Sequence, residues 1–240
     1  MKHASSLAYA MSMKLDGRET GIQDLLIVED HPVMGDALSL ILKIEFGLRA
    51  VRTEQSLERA INALRRGPVP NAILLDLRLP DCSGIEGVIV LRKLVPDVPI
   101  IVISADTNGK MISAALAAGA RGYISKELGR EDLCAALHRA FKGERVMPDG
   151  FDPDSIDPTK QEERGQIADR FVSLTPQQFR ILRLICAGMA NKEISYELSI
   201  TEATVKTHVN AIMGKINVRR RTQAVRMANE AKLFDFAELD

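Results

Sequence analysis

The chain has 240 residues, 46% of them hydrophobic, and its 32 basic and 32 acidic side chains leave a formal net charge of zero. This length predicts two modest domains, each large enough to bury its own core. The sequence shows no apolar run long enough to span a membrane, no clear signal peptide and no metal-ligand spacing among its three cysteines, so we expect a cytoplasmic protein with reduced thiols and no membrane partner.

We expect residues 1–21 to form a disordered N-terminal extension. From residue 22 to residue 142, short apolar runs alternate with amphipathic stretches, a pattern typical of parallel strands alternating with helices. The predicted strands cover Leu25–Val28, Leu48–Arg52, Ala72–Leu75, Ile100–Ile103 and Gly122–Ile124. The predicted helices cover about Pro32–Ile44, Gln55–Arg65, Ile85–Leu94, Lys110–Ala118 and Glu131–Phe141. Five such units predict an α/β fold, a doubly wound five-stranded parallel sheet with helices on both faces.

Polar residues follow four of these apolar runs, at the point where each strand ends. Glu29 and Asp30 follow the first strand, Asp76 the third, Ser104 the fourth and Lys126 the fifth. Because the carboxyl ends of parallel strands meet along one edge of the sheet, we expect these five side chains to converge. Three carboxylates, a hydroxyl and an ammonium group predict a site for Mg²⁺ and a phosphoryl group.

Four segments carry these residues, namely Ile27-Val28-Glu29-Asp30-His31, Leu74-Leu75-Asp76-Leu77-Arg78-Leu79-Pro80, Val102-Ile103-Ser104-Ala105 and Gly122-Tyr123-Ile124-Ser125-Lys126. Through them, residues 22–142 resemble the receiver domain of bacterial two-component response regulators, which has a flavodoxin-like fold. The resemblance implies that Asp76 is the phosphoacceptor of a sensor histidine kinase. It also implies Mg²⁺ ligands (Glu29, Asp30 and Asp76), phosphoryl-binding residues (Ser104 and Lys126) and switch residues (Ser104 and Tyr123).

The residue two positions after Asp76 is Arg78. Phosphatases that use an aspartate nucleophile have a second aspartate at this position as a general acid, so we expect neither an enzyme of this class nor catalytic residues of its kind. Position 106, two beyond Ser104, is aspartate, and we expect an Arg78–Asp106 ion pair at the mouth of the site.

Residues 143–172 are predicted to link the two domains. They contain four basic and eight acidic residues, with Pro153 and Pro158 and no hydrophobic periodicity. Such a composition is typical of an extended linker, which would allow the domains to rearrange.

Residues 173–240 form the second predicted domain. Its segment 173–227 contains nine basic and three acidic residues, a balance suited to binding nucleic acid. Thr175, Pro176 and Gln178 predict a capped first helix, and Asn191 is expected to cap the second. The four predicted helices cover about Pro176–Ala187, Lys192–Leu198, Glu202–Ile216 and Thr222–Leu233. Two helices joined by a tight turn in a basic, all-α, four-helix domain predict a helix-turn-helix.

On the third of these helices an apolar stripe, Val205, Val209, Ile212 and Ile216, is expected to face the core. Five segments then complete a pattern, namely Leu174-Thr175-Pro176, Ala190-Asn191-Lys192-Glu193-Ile194, Thr204-Val205-Lys206-Thr207-His208-Val209, Lys215-Ile216 and Arg221-Thr222-Gln223-Ala224-Val225. Through them the domain is similar to the LuxR-type helix-turn-helix. The resemblance implies contacts with double-stranded DNA from Thr204, Lys206, Thr207, Asn210, Arg219, Arg220 and Arg221. It also implies pairing of two copies through the last helix, at Val225, Ala228 and Leu233.

Together the two domains resemble a response regulator of the NarL/FixJ type. The function implied is that of a transcription factor activated by phosphoryl transfer to Asp76, forming a homodimer when phosphorylated or on DNA. The alternative is a phosphorylation-independent DNA-binding protein that uses its receiver for dimerisation or ligand sensing. Degenerate receivers of that kind usually lose an acid or the lysine, and this sequence has lost neither. A phosphotransfer scaffold is disfavoured by the intact second domain.

Overall fold

The computed structural model describes residues 21–151 and 158–235. The predicted N-terminal extension therefore lies outside the described residues except for Gly21, as do positions 152–157 of the predicted linker and the last five residues. No helix in the described ranges is both long enough and apolar enough to cross a membrane.

The first half of the chain alternates strands and helices in the predicted order. The strands of its main sheet are β1 (Asp24–Val28), β2 (Ala50–Glu54), β3 (Ala72–Leu75), β6 (Ile100–Ser104) and β7 (Gly122–Ser125), and a short hairpin is formed by β4 (Arg78–Leu79) and β5 (Cys82–Ser83). The helices are α1 (Pro32–Phe46), α2 (Leu57–Arg66), α3 (Glu86–Leu94), α4 (Gly109–Ala117) and α5 (Arg130–Phe141). The second strand lies two residues later than predicted, and the hairpin was not predicted.

The main sheet is parallel, with strand order β2-β1-β3-β6-β7. Its three central strands are almost completely buried, because helices cover both faces of the sheet. Val28 of β1 pairs with Leu75 of β3, so Glu29 and Asp76 leave neighbouring strands at the same level. Likewise, Ser104 pairs with Ser125, which places Lys126 next to the end of β6. The register thus brings the predicted site residues to one edge.

One face of the sheet is covered by α1 and α5, where the rings of Phe46 and Phe141 meet edge to face with centroids 5.3 Å apart. On the other face, α2, α3 and α4 form a second layer. This second hydrophobic core continues into the C-terminal half of the chain, where it includes Phe171, Phe179 and Leu233. The two halves of the protein therefore share one apolar cluster.

The extended conformation expected for the linker is wrong for its second half. Pro158–Val172 forms a helix, α6, which packs against α3 and α4. Ala168 and Phe171 are buried there, and Asp169 pairs with Arg92 of α3. The segment contains too few apolar residues to form a core alone, but the receiver-like half supplies the surface that buries them.

Up to residue 235, the C-terminal half contains four more helices, α7 (Pro176–Cys186), α8 (Asn191–Glu197), α9 (Glu202–Lys215) and α10 (Arg221–Glu230). The predicted capping box of α7 is present, since Thr175 Oγ1 accepts from Gln178 N and Gln178 Oε1 accepts from Thr175 N. The prediction for Asn191 was wrong, because the residue that caps α8 is Ala190, whose backbone N–H donates to Glu193.

Candidate functional site

The predicted acidic site is formed at the carboxyl ends of β1 and β3. Glu29 is completely buried, Asp76 is 3% exposed, and Asp30 is half-buried at the entrance. The backbone N–H of Asp76 donates to Val28 O over 2.9 Å, and that of Arg78 donates to Asp76 Oδ1 over 3.2 Å. Asp76 is thus held by the sheet on one side and by the following loop on the other.

Lys126 joins two of these carboxylates. Its Nζ lies 2.7 Å from Asp76 Oδ2 and 2.6 Å from Glu29 Oε2. The loop after β7 holds the lysine in place, because the backbone N–H of Lys126 donates to Ser104 O over 2.9 Å. Two buried acids and one lysine leave a net negative charge, which a cation would compensate.

The surroundings shift the ionisation of these groups in defined directions. Burial raises the pKa of Asp76, although Lys126 opposes that shift. Burial alone would lower the pKa of Lys126, but its hydrogen bonds to Asp76 and Glu29 outweigh this and raise the pKa. The side-chain hydrogen bond to Glu29, followed by the charge of Asp30, raises the pKa of His31.

The donor set fits a divalent cation. Ligand atoms of Glu29, Asp30, His31 and Asp76 all lie within 4.8 Å of one another. A few carboxylates together with phosphate oxygens and retained water are the ligands that Mg²⁺ prefers. The sequence prediction did not count His31 among the ligands, because a solvent-exposed residue was expected at this position. Its Nδ1 lies 2.9 Å from Asp30 Oδ1, while the side chain remains 72% exposed.

The predicted switch residues lie next to this site and face inward. Ser104 is 1% exposed, and its Oγ accepts from Asp106 N over 3.2 Å. Tyr123 is fully buried, and its hydroxyl donates to Asp106 O over 2.5 Å. Burial raises the pKa of Tyr123 to about 12, so the phenol keeps its proton at neutral pH. Both side chains therefore meet the loop that leads from β6 into α4.

The expected Arg78–Asp106 ion pair was wrong. Arg78 Nη2 reaches Asp235 Oδ2 at 3.3 Å, close to the end of the described chain. The Asp106 carboxylate accepts instead from the backbone N–H of Asn108, over 2.8 Å, and so stabilises its own loop. The sequence held no signal for a partner 157 residues away.

A cleft of 820 Å³ leads from solvent to the acidic site. Its lining includes five apolar residues from α1 and from the segment after β3, namely Val33, Met34, Ala37, Leu79 and Pro80. Beyond the cleft, the same face of α1 exposes Leu40 and Ile44, each by about 60%. Exposed apolar side chains of this kind, next to a charged site, are typical of a surface that contacts another protein.

The second candidate site is the outer face of α9. Val205, Ile212 and Ile216 are buried, and Val209 is half-buried, as the predicted stripe requires. On the opposite face, four residues are exposed near the N-terminus of the helix, namely Thr204, Lys206, Thr207 and Asn210. An exposed helix N-terminus with cationic and amide side chains suits the major groove of DNA.

The three arginines of the basic cluster after α9, Arg219–Arg221, differ in their exposure to solvent. Arg219 and Arg220 are exposed. Arg221 is half-buried and donates to Met189 O and, over 3.3 Å, to Asn191 Oδ1. Two nitrogens of Arg221 thus join α10 to the start of α8, and its contact with a phosphate stays a prediction.

Comparison with known proteins identifies both halves of the chain. Residues 25–138 match the family model of the response regulator receiver domain, and residues 172–228 match that of the bacterial regulatory proteins of the luxR family. The glycerol metabolism activator of Pseudomonas putida is 32% identical over 213 residues, which are 86% of this chain and 95% of that protein. The nitrate/nitrite response regulator protein NarL of Escherichia coli K12 is 31% identical over 210 residues, which are 88% of this chain and 96% of NarL.

Solved structures agree with this result at the level of the fold. A complex of the two-component response regulator RcsB with DNA matches with a TM-score of 0.51 and 21% identity, over 87% of this chain and 98% of that chain. This similarity extends over both the receiver-like half and the helical half.

Proposed function

This chain belongs to the two-component response regulators that join a receiver domain to a LuxR-type DNA-binding domain, and we propose that phosphoryl transfer to Asp76 controls its binding to DNA. The family is one of DNA-binding transcription regulators. The observation that carries the proposal is the position of Asp76, which is buried at a strand end between an acidic pair and Lys126.

Each residue of the acidic site has a role in the proposal. The Asp76 carboxylate would attack the phosphorus of a phosphohistidine, so that a P–O bond forms, the P–N bond breaks and the imidazole of the kinase leaves, and Asp76 becomes an acyl phosphate. Glu29, Asp30 and Asp76 would hold Mg²⁺, which supplies positive charge against the incoming phosphoryl oxygens. Lys126 already contacts Asp76 Oδ2, so it lies where it can pair with a phosphoryl oxygen on that carboxylate. Ser104 would donate a hydrogen bond to another oxygen, and Tyr123 would respond through the loop that both residues contact.

The phosphoryl donor is proposed to be a sensor histidine kinase. A protein donor must place its phosphohistidine in the cleft above Asp76. The apolar lining of that cleft and the exposed Val33, Leu40 and Ile44 of α1 offer such a protein a surface to bury. We assign the chain no turnover of external substrates, since Arg78 occupies the position at which aspartate-nucleophile phosphatases have their general acid.

The proposed output is binding to double-stranded DNA. Lys206 and Asn210 are proposed to reach bases or phosphates and Thr207 a base edge, while Thr204, Arg219 and Arg220 contact phosphates. A homodimer would bind two half-sites about one helical turn apart, roughly 34 Å. Because DNA is the partner, we place the protein in the cytoplasm, as the sequence predicts.

The rival function is DNA binding that does not depend on phosphorylation. Comparing the wild type with Asp76→Asn separates the two, with and without Mg²⁺ and beryllofluoride, an analogue of the phosphoryl group. The matched control is Asp97→Asn, which changes an exposed aspartate of the same domain. DNA retention and oligomeric size, measured by light scattering after gel filtration, are the readouts.

We expect wild type and Asp97→Asn to dimerise and bind DNA more tightly with Mg²⁺ and beryllofluoride, and Asp76→Asn to show no response. If all three proteins behave alike, the receiver is a dimerisation or sensing module and the proposal fails.

A further inference from the structure

The loop that follows the phosphoacceptor strand also holds the end of the described chain. The backbone N–H of Ile85 donates to Lys232 O over 3.2 Å, and that of Asp235 donates to Ser83 Oγ over 3.1 Å. Between these contacts Leu233 is fully buried and Phe234 is 5% exposed. The segment Lys232–Asp235, which follows α10, is therefore docked on the receiver.

Gly84 shows how closely the two segments approach. Its φ is +69°, and a Cβ atom at this position would lie 2.6 Å from Lys232 O and 2.9 Å from Leu233 O. Both distances are too short for any side chain, so the docked arrangement requires glycine here. Any other residue at position 84 would therefore disturb the contact between this loop and Lys232–Asp235.

Arg78 connects this contact to the phosphoacceptor. Its backbone N–H donates to Asp76 Oδ1, and its guanidinium pairs with Asp235. A phosphoryl group on Asp76 would add up to two negative charges beside Arg78 and strong acceptors for its guanidinium. Asp235 would then compete with the phosphoryl oxygens for the same side chain.

The docked arrangement leaves the DNA-reading face uncovered. Thr204, Lys206, Thr207 and Asn210 are all exposed although the domains are in contact. The docked segment instead includes Leu233, which is fully buried and is one of the positions expected to pair with a second copy. Docking in this structure therefore restrains the pairing end of the domain and leaves its DNA-reading helix open.

We propose that Lys232–Asp235 is an interdomain latch, held by Gly84 and Arg78 and weakened when Arg78 is drawn towards a phosphoryl group on Asp76. The trigger rests on the proposed function, whereas the latch does not. Release would free the end of the helical domain to pair with a second copy on DNA.

The latch is tested without phosphorylation by two alanine variants of the full chain. Gly84→Ala places a Cβ against the latch. Gly143→Ala is the matched control, because Gly143 also has a positive φ, +85°, but a Cβ atom added there would meet nothing within 4 Å. The readout is hydrogen exchange of the Ile85 and Asp235 amides, which donate across the contact.

We expect both amides to exchange roughly tenfold faster or more in Gly84→Ala, and as in the wild type in Gly143→Ala. Equal exchange in the two variants would overturn the latch.

The coupling between Asp76 and the latch is tested separately, by adding Mg²⁺ and beryllofluoride to the wild type and to Arg78→Gln. Binding of beryllofluoride is observed by ¹⁹F NMR. We expect bound beryllofluoride to speed exchange at Ile85 and Asp235 in the wild type and to have a much smaller effect in Arg78→Gln. If beryllofluoride binds to the wild type and the hydrogen exchange of the two amides does not change, the coupling is overturned. The proposal of phosphorylation at Asp76 would still stand.

Discussion

Replacing Glu86 by glutamine should remove a pH dependence that burial imposes on the stability of this protein. Glu86 begins α3 and pairs with Arg183 of α7, across the contact between the two domains. Burial is the largest cause that raises its pKa from 4.5 to about 7; Arg183 and Arg180 oppose the shift, and Asp81 adds to it. Below about pH 7 the carboxyl group is therefore mostly uncharged in the folded protein, even beside an arginine.

The sign of the effect follows from proton binding. Between pH 4.5 and pH 7 the folded protein holds a proton on Glu86 that the unfolded chain has lost, so the free energy of unfolding falls as pH rises. Each pKa unit corresponds to about 1.4 kcal/mol, which gives a loss of about 2.5 kcal/mol between pH 5 and pH 8. Glutamine does not titrate, so Glu86→Gln should lack this loss.

Urea denaturation of wild type and variant at pH 5, 6, 7 and 8 measures the difference directly. Other groups, such as His31, are present in both proteins and cancel in the comparison. Glu58→Gln is the control, since Glu58 pairs with Arg180 at the same domain contact but its side chain is 64% exposed. Parallel pH profiles for the wild type and Glu86→Gln would refute the argument, because they would show that Glu86 is already ionised at pH 5.

Three further outcomes are expected. Gly214→Ala should raise the stability of α9 by about 1 kcal/mol, seen as a higher melting temperature, because Gly214 is helical and a Cβ there meets no atom within 4 Å; an unchanged or lower melting temperature would contradict this. Lys206→Ala should reduce the slope of log affinity for DNA against log salt concentration by roughly one if Lys206 meets a phosphate. Arg221→Ala should instead lower the melting temperature, because Arg221 donates to Asn191, and should leave that slope unchanged. Mg²⁺ should raise the melting temperature of the wild type more than that of Asp30→Asn, and equal shifts would place the ion elsewhere.

The acidic site could be predicted because its signal is local to each strand. A buried parallel strand appears as four or five apolar residues, and the residue after it must lie at the carboxyl edge of the sheet. Glu29, Asp76 and Lys126 needed no knowledge of helix packing to be placed together. The strand order itself was not predicted; it is the one typical of flavodoxin-like doubly wound sheets.

The contacts between the domains could not be predicted in this way. Arg78 was assigned to Asp106, its neighbour along the sheet edge, because nothing in the sequence marks Asp235 as a partner. Pro158–Val172 was expected to be extended. It forms a helix because it packs against α3 and α4, and these surfaces lie far away in sequence. Arg221 was read from the sequence as a phosphate contact, yet its environment depends on how α10 meets α8.

The energies of these contacts limit what the proposed latch can do alone. Moving a two-state equilibrium from 1:99 to 99:1 requires about 5.5 kcal/mol. The Arg78 side chain is 42% exposed, and an ion pair of that kind contributes about 0–1 kcal/mol. Most of the docking energy must come from the apolar cluster that includes Phe171 and Phe234. On the proposed mechanism, phosphorylation therefore biases the docking equilibrium, and pairing on DNA supplies the remaining free energy by binding only the released form.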